Sequence, residues 1–433
     1  MRSALSFGAM PPVGVPLRFL LTAPLFGVMA ALLLLLQPEP LLTSRWTGEA
    51  LAATHLLTLG FLSLAMVGAL MQILPVVGGI MLPHASTLGQ WVHAALVAGT
   101  LVLSAAFLLE TPLLFRLAMA LLAGGFGAFI VAAWIGYRHG AQDSASVSTT
   151  TICKALAGLL ATVSVGVLLA SAFAGLLPNL PLLLLTDLHV AWGAVGWIGM
   201  LVAGVAFQVI PMFQATPTYP QRFARLLPIA LMLLLCIGSL RYWMPAWAVL
   251  LSDAGLAASL ATFAIVTLGL LAQRKRPRPD TTTRYWRLSM AALIGSALAW
   301  GMATVGWCSP VFAGGLFLAG FGSSAVSGML YKIVPFLAWY HLQEQVGLQS
   351  GKRPPALKEF LSDRSTNWQF RLHAAAVLML MVASAAPNFE PGGWTSVAAR
   401  ASAVLFAISF AWLWLNLMRA VQLHRSVLAD QPS

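Results

Sequence analysis

Two histidines occupy matching places in separate apolar stretches of this 433-residue chain. His55 precedes Pro75, and His189 precedes Pro211, at nearly equal distances along the chain, so both lie one to two turns inside the same end of a membrane-length segment. A membrane-embedded imidazole either ligates a metal or bonds to a backbone carbonyl. Because the two depths match, we interpret the pair as metal ligands. The two distances differ by two positions, about 200° around an α-helix, which leaves open whether the rings share one pocket.

Four further residues could support such a site. Asp187 precedes His189 by two residues and could orient a neighboring group or shape access from outside. His93 and His373 lie near the other end of their segments, where we expect their rings to reach the interface or to bond to the backbone. Lys332 lies within an apolar segment, and we expect its stem to carry the ammonium group to water. The alternatives for Lys332 are an anionic group of a bound cofactor or a polar pathway.

The composition indicates a membrane protein that holds these residues on helices. Hydrophobic residues make up 59% of the chain, charged residues only 8%, and the mean hydropathy is +0.86. A soluble domain has roughly a quarter charged residues. Segments of about 20 apolar residues cross lipid as helices, because the backbone has no other hydrogen-bond partners there. Twelve spans are predicted, at 16–36, 50–75, 87–109, 112–137, 152–174, 184–211, 222–240, 245–272, 286–307, 311–336, 371–387 and 395–420.

Basic residues predict the orientation of these spans. Nineteen of the 24 Lys and Arg residues fall on one side, six of them in QRKRPRPDTTTRYWR at 273–287. The positive-inside rule then places both termini in the cytoplasm, in a bacterial inner membrane, with the first helix retained rather than cleaved. The net charge of +12 therefore requires no nucleic-acid partner, and the expected partner is the lipid bilayer. The largest connection, 341–371, has room for one short helix but not for a catalytic domain.

One glycine and proline pattern, G-x7-G-x6-P, recurs in three spans. Its copies are GFLSLAMVGALMQILP at 60–75, GWIGMLVAGVAFQVIP at 196–211 and GFGSSAVSGMLYKIVP at 320–335. They fall in predicted spans 2, 6 and 10, so the repeat unit is four helices. We therefore expect an all-α polytopic membrane protein, a single domain over 1–433 with three four-helix arcs around a pseudo-threefold axis. The glycines should allow close helix approach, and each proline should end its helix.

Other chemistries lack their residues in this sequence. The twelve acidic residues lie mostly in predicted loops, so we expect no paired carboxylates within the membrane. The chain contains no G-x-S-x-G, no Walker sequence and no Cys/His zinc spacing. Its three cysteines form no C-x-x-C motif, which argues against attached c-type heme. Hydrolytic and nucleotide-dependent reactions are thereby disfavored.

The repeat and the two histidines together resemble heme-copper oxidases, whose catalytic subunit has twelve helices in three arcs. HVAWGAVGWIGMLVAGVAFQVIP, 189–211, resembles the copper-ligand helix of C-family (cbb-type) oxidases. Its pattern of His followed by G-x6-P also occurs in HLLTLGFLSLAMVGALMQILP, 55–75, and is similar to the NnrS family of heme- and copper-associated membrane proteins. The resemblance implies b-type heme or copper at His55 and His189. It also implies a role in nitric oxide stress or respiratory redox metabolism, with respiratory-chain or denitrification membrane proteins as partners.

The sequence departs from the oxidase pattern at several ligand positions. The seventh span contains no histidine, and the tenth contains none before His341. At the tenth-span positions that match His55 and His189 stand Gly315 and Ala313. The imidazoles of a complete oxygen-reducing center are therefore missing, and the chain is not a complete terminal oxidase. Two alternatives remain open: a transporter or heme/metal-delivery protein, and a cofactor-free assembly subunit of a respiratory complex.

Overall fold

The computed structural model describes residues 11–140, 146–276, 278–347, 355–386 and 392–429. All regular structure in these ranges is helical. The twelve long helices are α1 Gly14–Leu36, α2 Gly48–Gly78, α3 Ala85–Leu109, α4 Pro112–His139, α5 Val147–Phe173, α6 Leu182–Gln214, α7 Gln221–Gly238, α8 Ala246–Ala272, α9 Thr281–Thr304, α10 310–347, α11 Asp363–Ser384 and α12 Trp394–Ala429. Shorter helical turns lie at Pro38–Thr43, Arg241–Trp243 and Leu357–Glu359.

Ten of these helices are long and apolar enough to cross a bilayer, counted over the described ranges. The two others, α9 and α11, have polar side chains along one half. Contacts between helix ends indicate the directions of individual helices: Arg45, before α2, pairs with Asp187 in the first turns of α6, so α2 and α6 begin on the same side. Lys332, late in α10, pairs with Asp280 before α9. The chain is thus a polytopic α-helical membrane protein. The term basic face is used below for the side of the molecule on which α1 begins, and the term opposite face is used for the other side.

Each of the helices α2, α6 and α10 contains a π-helical segment that the sequence did not predict. The segments are Leu56–Ser63, Trp192–Gly199 and Leu316–Gly322, and each begins at the same distance along the chain from the proline of its repeat. Two of them are joined by a hydrogen bond from Trp197 Nε1 to Ser63 Oγ at 2.9 Å. π-Helical turns are rare and occur mostly at functional sites. Their identical placement indicates that the three repeats share one backbone form.

The glycine pairs of the repeat explain how these helices pack. In each copy, both glycines lie against the helix that begins the repeat, and the contacted positions on that helix are seven residues apart. The pairs are Gly60 with Phe26 and Gly68 with Phe19, Gly196 with Gly158 and Gly204 with Thr151, and Gly320 with Ala292 and Gly328 with Tyr285. A missing Cβ lets two backbones approach closely, which is how helices associate in lipid. The spacing of the sequence pattern is therefore the spacing of a helix–helix contact.

The prediction that a proline ends each helix is wrong. Pro75 and Pro211 are followed by three further helical residues, and α10 continues twelve residues past Pro335. A proline removes one backbone N–H and one hydrogen bond, and the hydrogen bonds on either side can keep the helix continuous. Because α10 ends at 347 and α11 begins at Asp363, the connection is shorter than the predicted loop 341–371.

A buried polar network joins α9 to α12 in the half nearest the basic face. The hydroxyls of Tyr285 and Tyr331 both donate to Gln369 Oε1, at 2.6 Å and 3.0 Å. Asn416 Nδ2 donates to the Tyr331 hydroxyl at 3.0 Å, and Ser365 Oγ donates to Asn416 Oδ1 at 2.7 Å. Buried polar groups need such partners in lipid. This network explains why α9 and α11 are less apolar than their neighbors.

Lys332 forms an ion pair with a carboxylate near the basic face, where its side chain stays partly exposed. Its Nζ lies 2.8 Å from Asp280 Oδ2, and the Asp280 carboxylate also accepts hydrogen bonds from the backbone and hydroxyl of Thr283. Burial acts to raise the pKa of Asp280. The ammonium group of Lys332 and the hydrogen bonds from Lys332 and Thr283 outweigh burial, and hold the pKa below its ordinary value of 3.8. Lys332 thus joins α10 to the start of α9.

The Asp280 carboxylate should make stability depend on acid pH. Its folded-state pKa is lowered, so its contribution is complete above the ordinary value of 3.8 and is lost as the pH falls through the folded-state pKa. Between about pH 5 and pH 3, the unfolding temperature of the purified protein should therefore fall more steeply in wild type than in Asp280→Asn. Asp363→Asn, which alters an exposed acid at the start of α11, serves as the control and should keep the wild-type slope. Equal slopes in wild type and Asp280→Asn would contradict this assignment.

Candidate functional site

The structure brings His55 and His189 together. His55 is the last residue before the π-helical segment of α2, and His189 lies three residues before that of α6. Their ring centroids are 6.2 Å apart, and the ring planes are inclined by 28°. Their offset of two positions along the repeat does not separate them, because the two rings reach one space from different helices. Two imidazoles bound to one metal at about 2.0–2.1 Å have their centroids separated by roughly this distance.

Hydrogen bonds fix the tautomer of both rings. His55 Nδ1 lies 2.7 Å from the carbonyl oxygen of Leu51, and His189 Nδ1 lies 3.1 Å from the carbonyl oxygen of Thr162 in α5. A carbonyl oxygen only accepts, so Nδ1 carries the hydrogen in each ring. The neutral ring then has its lone pair on Nε2. Imidazoles that ligate metals commonly have this arrangement, with the other nitrogen bonded to a carbonyl or carboxylate.

Both histidines line one large cavity in the half of the molecule nearest the opposite face. Its volume is about 750 Å³, within the range of roughly 300–1,000 Å³ typical of ligand pockets. Its walls are mainly apolar, and include Phe107, Leu159 and Trp197. The Phe107 ring stacks on His55 with centroids 5.2 Å apart. The cavity therefore exceeds what a bare metal ion requires, and its shape and polarity suit a larger apolar ligand.

A cluster of four charged side chains lines the cavity beside the histidines. Arg45 Nη2 donates to Asp187 Oδ1 at 2.9 Å, and Arg241 Nη1 lies 3.8 Å from Asp187 Oδ2. Arg241 Nη2 donates to Asp253 Oδ1 at 2.9 Å. The cluster is formally neutral and joins the start of α6, which carries His189, to the segment before α2. Asp187 thus contacts both arginines of the cluster, and its role in access to the site stays a prediction.

Two carboxylates at one arginine were not expected from the sequence. Asp187 and Asp253 lie near the starts of apolar helices that qualify as membrane spans, and both contact Arg241. The two carboxylates are bridged by the guanidinium group of Arg241, and the absence of paired carboxylates within the membrane stays a prediction. Asp253 could have been noticed as one of only twelve acidic residues and one placed inside an apolar stretch. The contact between Asp253 and Arg241 depends on the conformation of the connection between α7 and α8, and residue spacing alone does not determine that conformation.

The other candidate residues lie away from this cavity. His93 Nε2 is 3.0 Å from Thr22 Oγ1, and His373 is fully buried, with Nε2 3.0 Å from Ser324 Oγ. The expectation that His373 would reach the interface or bond to the backbone is wrong, because α9, α10 and α12 enclose it. In the described part of the chain, the residues that line the cavity include none of His93, His373 and Lys332.

The site thus offers two neutral imidazoles, an apolar cavity and two arginines. Across the described ranges, no group of three or more His, Cys, Asp or Glu side chains is placed to hold a metal ion. Among the described residues that line the cavity, the imidazoles are those of His55 and His189, which are the candidate metal ligands.

Comparison with known proteins adds no assignment. No protein-family model matches the chain, and no curated protein matches it.

Proposed function

We propose that the protein binds one b-type heme with His55 and His189 as its iron ligands. One observation carries the proposal: two imidazoles 6.2 Å apart line one cavity, and a carbonyl oxygen fixes the hydrogen of each ring on Nδ1. Each ring thereby keeps an Nε2 lone pair for a metal. Within the described ranges the hydrogen bonds of both rings are made by Nδ1, and neither Nε2 is bonded to another protein group.

The dimensions of the cavity favor heme over a bare metal ion. About 750 Å³ of mainly apolar space suits a flat macrocycle, whereas copper with only two imidazoles would leave most of it unfilled. A b-type heme carries two carboxylates, and the arginines at the cavity, Arg45 and Arg241, could contact them only by sharing their present partners Asp187 and Asp253. When bound through both imidazoles, heme would supply one-electron redox chemistry. The chain's own contribution is to orient both rings and to exclude water.

The wider setting of the protein belongs to the same proposal. The three glycine and proline repeats and their matching π-helical segments support three four-helix arcs related by a pseudo-threefold axis, with twelve membrane spans. The distribution of Lys and Arg supports a bacterial inner membrane with cytoplasmic termini, so that the histidine pair lies nearer the outer side. The resemblance to NnrS and to heme-copper oxidases supports a role in nitric oxide or respiratory redox metabolism, without complete oxygen reductase activity.

Spectra and metal content of the purified protein test this function. In detergent we expect reduced-minus-oxidized spectra with the Soret and α bands of heme b, about one heme per chain and no stoichiometric copper. If the purified protein contains one copper per chain and no heme, the two histidines would be assigned to copper instead of heme. A monodisperse, thermally stable preparation that contains neither would contradict cofactor binding, and would favor a transport or assembly role.

A glycine beside His189 provides a milder test of the ring position. A Cβ at Gly166 would lie 3.0 Å from His189 Cε1, so Gly166→Ala should push the ring away from the Thr162 carbonyl. Loss of such an orienting contact typically weakens metal affinity by about 10- to 100-fold. We expect reduced heme retention with a nearly unchanged unfolding temperature. Gly124→Ala, at a helix position with nothing within 4 Å, should retain heme like wild type. Equal retention in both variants would count against His189 as a ligand.

A further inference from the structure

A groove outside the heme cavity lies between the first turns of α11 and the middle of α12. Its volume is about 450 Å³, and it is lined by Ser362, Arg364, Ser365, Trp368 and Trp412. Trp412 Nε1 donates to Ser365 Oγ at 2.9 Å, and Ser365 Oγ donates to the buried Asn416. The indole of Trp412 is therefore fixed, and the groove has a preformed wall.

The groove lies at the level of the lipid headgroups on the basic face. Arg364 stands in the first turn of α11, which ends at Ser384, and Trp412 stands midway along α12, which begins at Trp394. At a rise of about 1.5 Å per residue, Arg364 is about 30 Å from the far end of α11 and Trp412 is about 27 Å from the start of α12. The hydrocarbon core of a bilayer is about 30 Å thick. Two antiparallel helices thus independently place the groove at the boundary between hydrocarbon and headgroups, where tryptophan is enriched.

The positive charge of the groove is not neutralized within the described chain. Neither Arg364 nor Arg371 has a carboxylate within ion-pair distance among the described residues. The Arg371 guanidinium instead lies over the Trp368 ring, 4.7 Å from its centroid, and Trp368 is 47% exposed. Glu359 and Asp363 are the acidic residues nearby in sequence, and neither forms an ion pair with these arginines. Two cations beside the exposed indole of Trp368 and the half-buried indole of Trp412 form a surface suited to an anion with an apolar body.

Exposed apolar side chains continue this surface into the hydrocarbon region. Leu378 lies two turns beyond Arg371 on the same face of α11 and is 59% exposed, and Ile408, one turn before Trp412 in the antiparallel α12, is 45% exposed. Apolar side chains open to the surroundings at this depth contact acyl chains. A water-soluble anion would use only the arginines, whereas a phospholipid would use the arginines, the indoles and these apolar side chains.

We propose that this groove binds an anionic phospholipid, with its phosphate at Arg364 and Arg371 and its acyl chains along Trp368, Trp412, Leu378 and Ile408. Each basic residue near a membrane surface contributes about 1 kcal/mol of attraction to anionic lipid, which is roughly a five-fold change in affinity. Cardiolipin, with two phosphates, should bind more tightly than phosphatidylglycerol, and phosphatidylcholine should bind weakly. The proposal does not depend on the heme site.

Native mass spectrometry of the detergent-purified protein, titrated with these three lipids, tests the groove. Removing both charges in Arg364→Gln/Arg371→Gln should reduce retention of cardiolipin by about 25-fold, at roughly five-fold per charge. Arg364→Lys should keep most of the affinity, which separates loss of charge from misfolding. Arg222→Gln, which removes an exposed arginine at the start of α7 on the same face, is the matched control and should bind like wild type.

Three results would overturn the lipid assignment. Cardiolipin retention could be unchanged in the double variant, or could fall equally in Arg222→Gln, which would indicate general charge attraction. Inorganic phosphate at the lipid's own concentration could displace cardiolipin, which would indicate a soluble anion instead. Heme content should stay at the wild-type level in every variant. A negative result in this experiment would therefore contradict the lipid proposal without contradicting the heme proposal.

Discussion

Replacing either His55 or His189 by alanine is expected to remove the heme spectrum almost completely. Each imidazole supplies one iron ligand, and the described residues offer no other imidazole at this cavity. Loss of either ligand leaves the iron with one protein bond in a cavity that water can then enter. We expect heme content below about a tenth of wild type, in line with the 10- to 100-fold losses that even outer contacts of a metal ligand can cause. Pyridine hemochrome analysis of purified protein gives the measurement.

Two controls separate ligand loss from misfolding. His93→Ala removes an imidazole that bonds to Thr22 outside the cavity lining, and should keep the heme. In His189→Gly, added imidazole should restore the spectrum, because the cavity is large enough to admit a free ring. If His55→Ala and His189→Ala both retain full heme content, the iron is bound elsewhere and the assignment of ligands is wrong.

The second large effect is expected at Gly158, where α5 crosses α6. A Cβ at this position would overlap the carbonyl group of Gly196, which is backbone and cannot rotate away. Gly158→Ala must therefore separate the two helices. Overpacking of a tight contact typically costs about 1–3 kcal/mol and sometimes more. Because Gly158 is one turn from Thr162, whose carbonyl oxygen bonds to His189, the change should also weaken the heme site.

Thermal unfolding in detergent measures the effect at Gly158. We expect a clear fall in the unfolding temperature and in the yield of monodisperse protein. Gly127→Ala in α4 makes the same chemical change where nothing lies within 4 Å, and should leave both quantities unchanged. An unfolding temperature for Gly158→Ala equal to that of Gly127→Ala would show that the contact between Gly158 and Gly196 does not set the spacing of α5 and α6.

Features that depend on local composition could be predicted from the sequence. Apolar runs predicted the helices, since lipid leaves the backbone no other partners. The glycine and proline repeat predicted close packing in α2, α6 and α10, because a missing side chain has the same effect in each copy. His55 and His189 were identified because an imidazole is costly in lipid wherever the helix lies.

Features that depend on relative helix rotation were not predictable. An ideal helix turns by about 100° per residue, so the offset between His55 and His189 left open whether the rings share one pocket. The actual approach depends on how two helices meet across the cavity, and no residue spacing encodes that angle. Likewise, the partner of Lys332 could not be identified, because Asp280 is distant in sequence. The π-helical segments escaped prediction because their residues are as apolar as those of an ordinary span.

Electron paramagnetic resonance of the oxidized wild-type protein is the most direct test of the central claim that His55 and His189 share one heme iron. Two imidazole ligands give low-spin ferric iron, so we predict a single low-spin signal that accounts for all of the heme. In His55→Ala and His189→Ala, any residual heme should be high-spin. A wild-type signal that is entirely high-spin, or a low-spin signal that persists when both histidines are replaced, would contradict it.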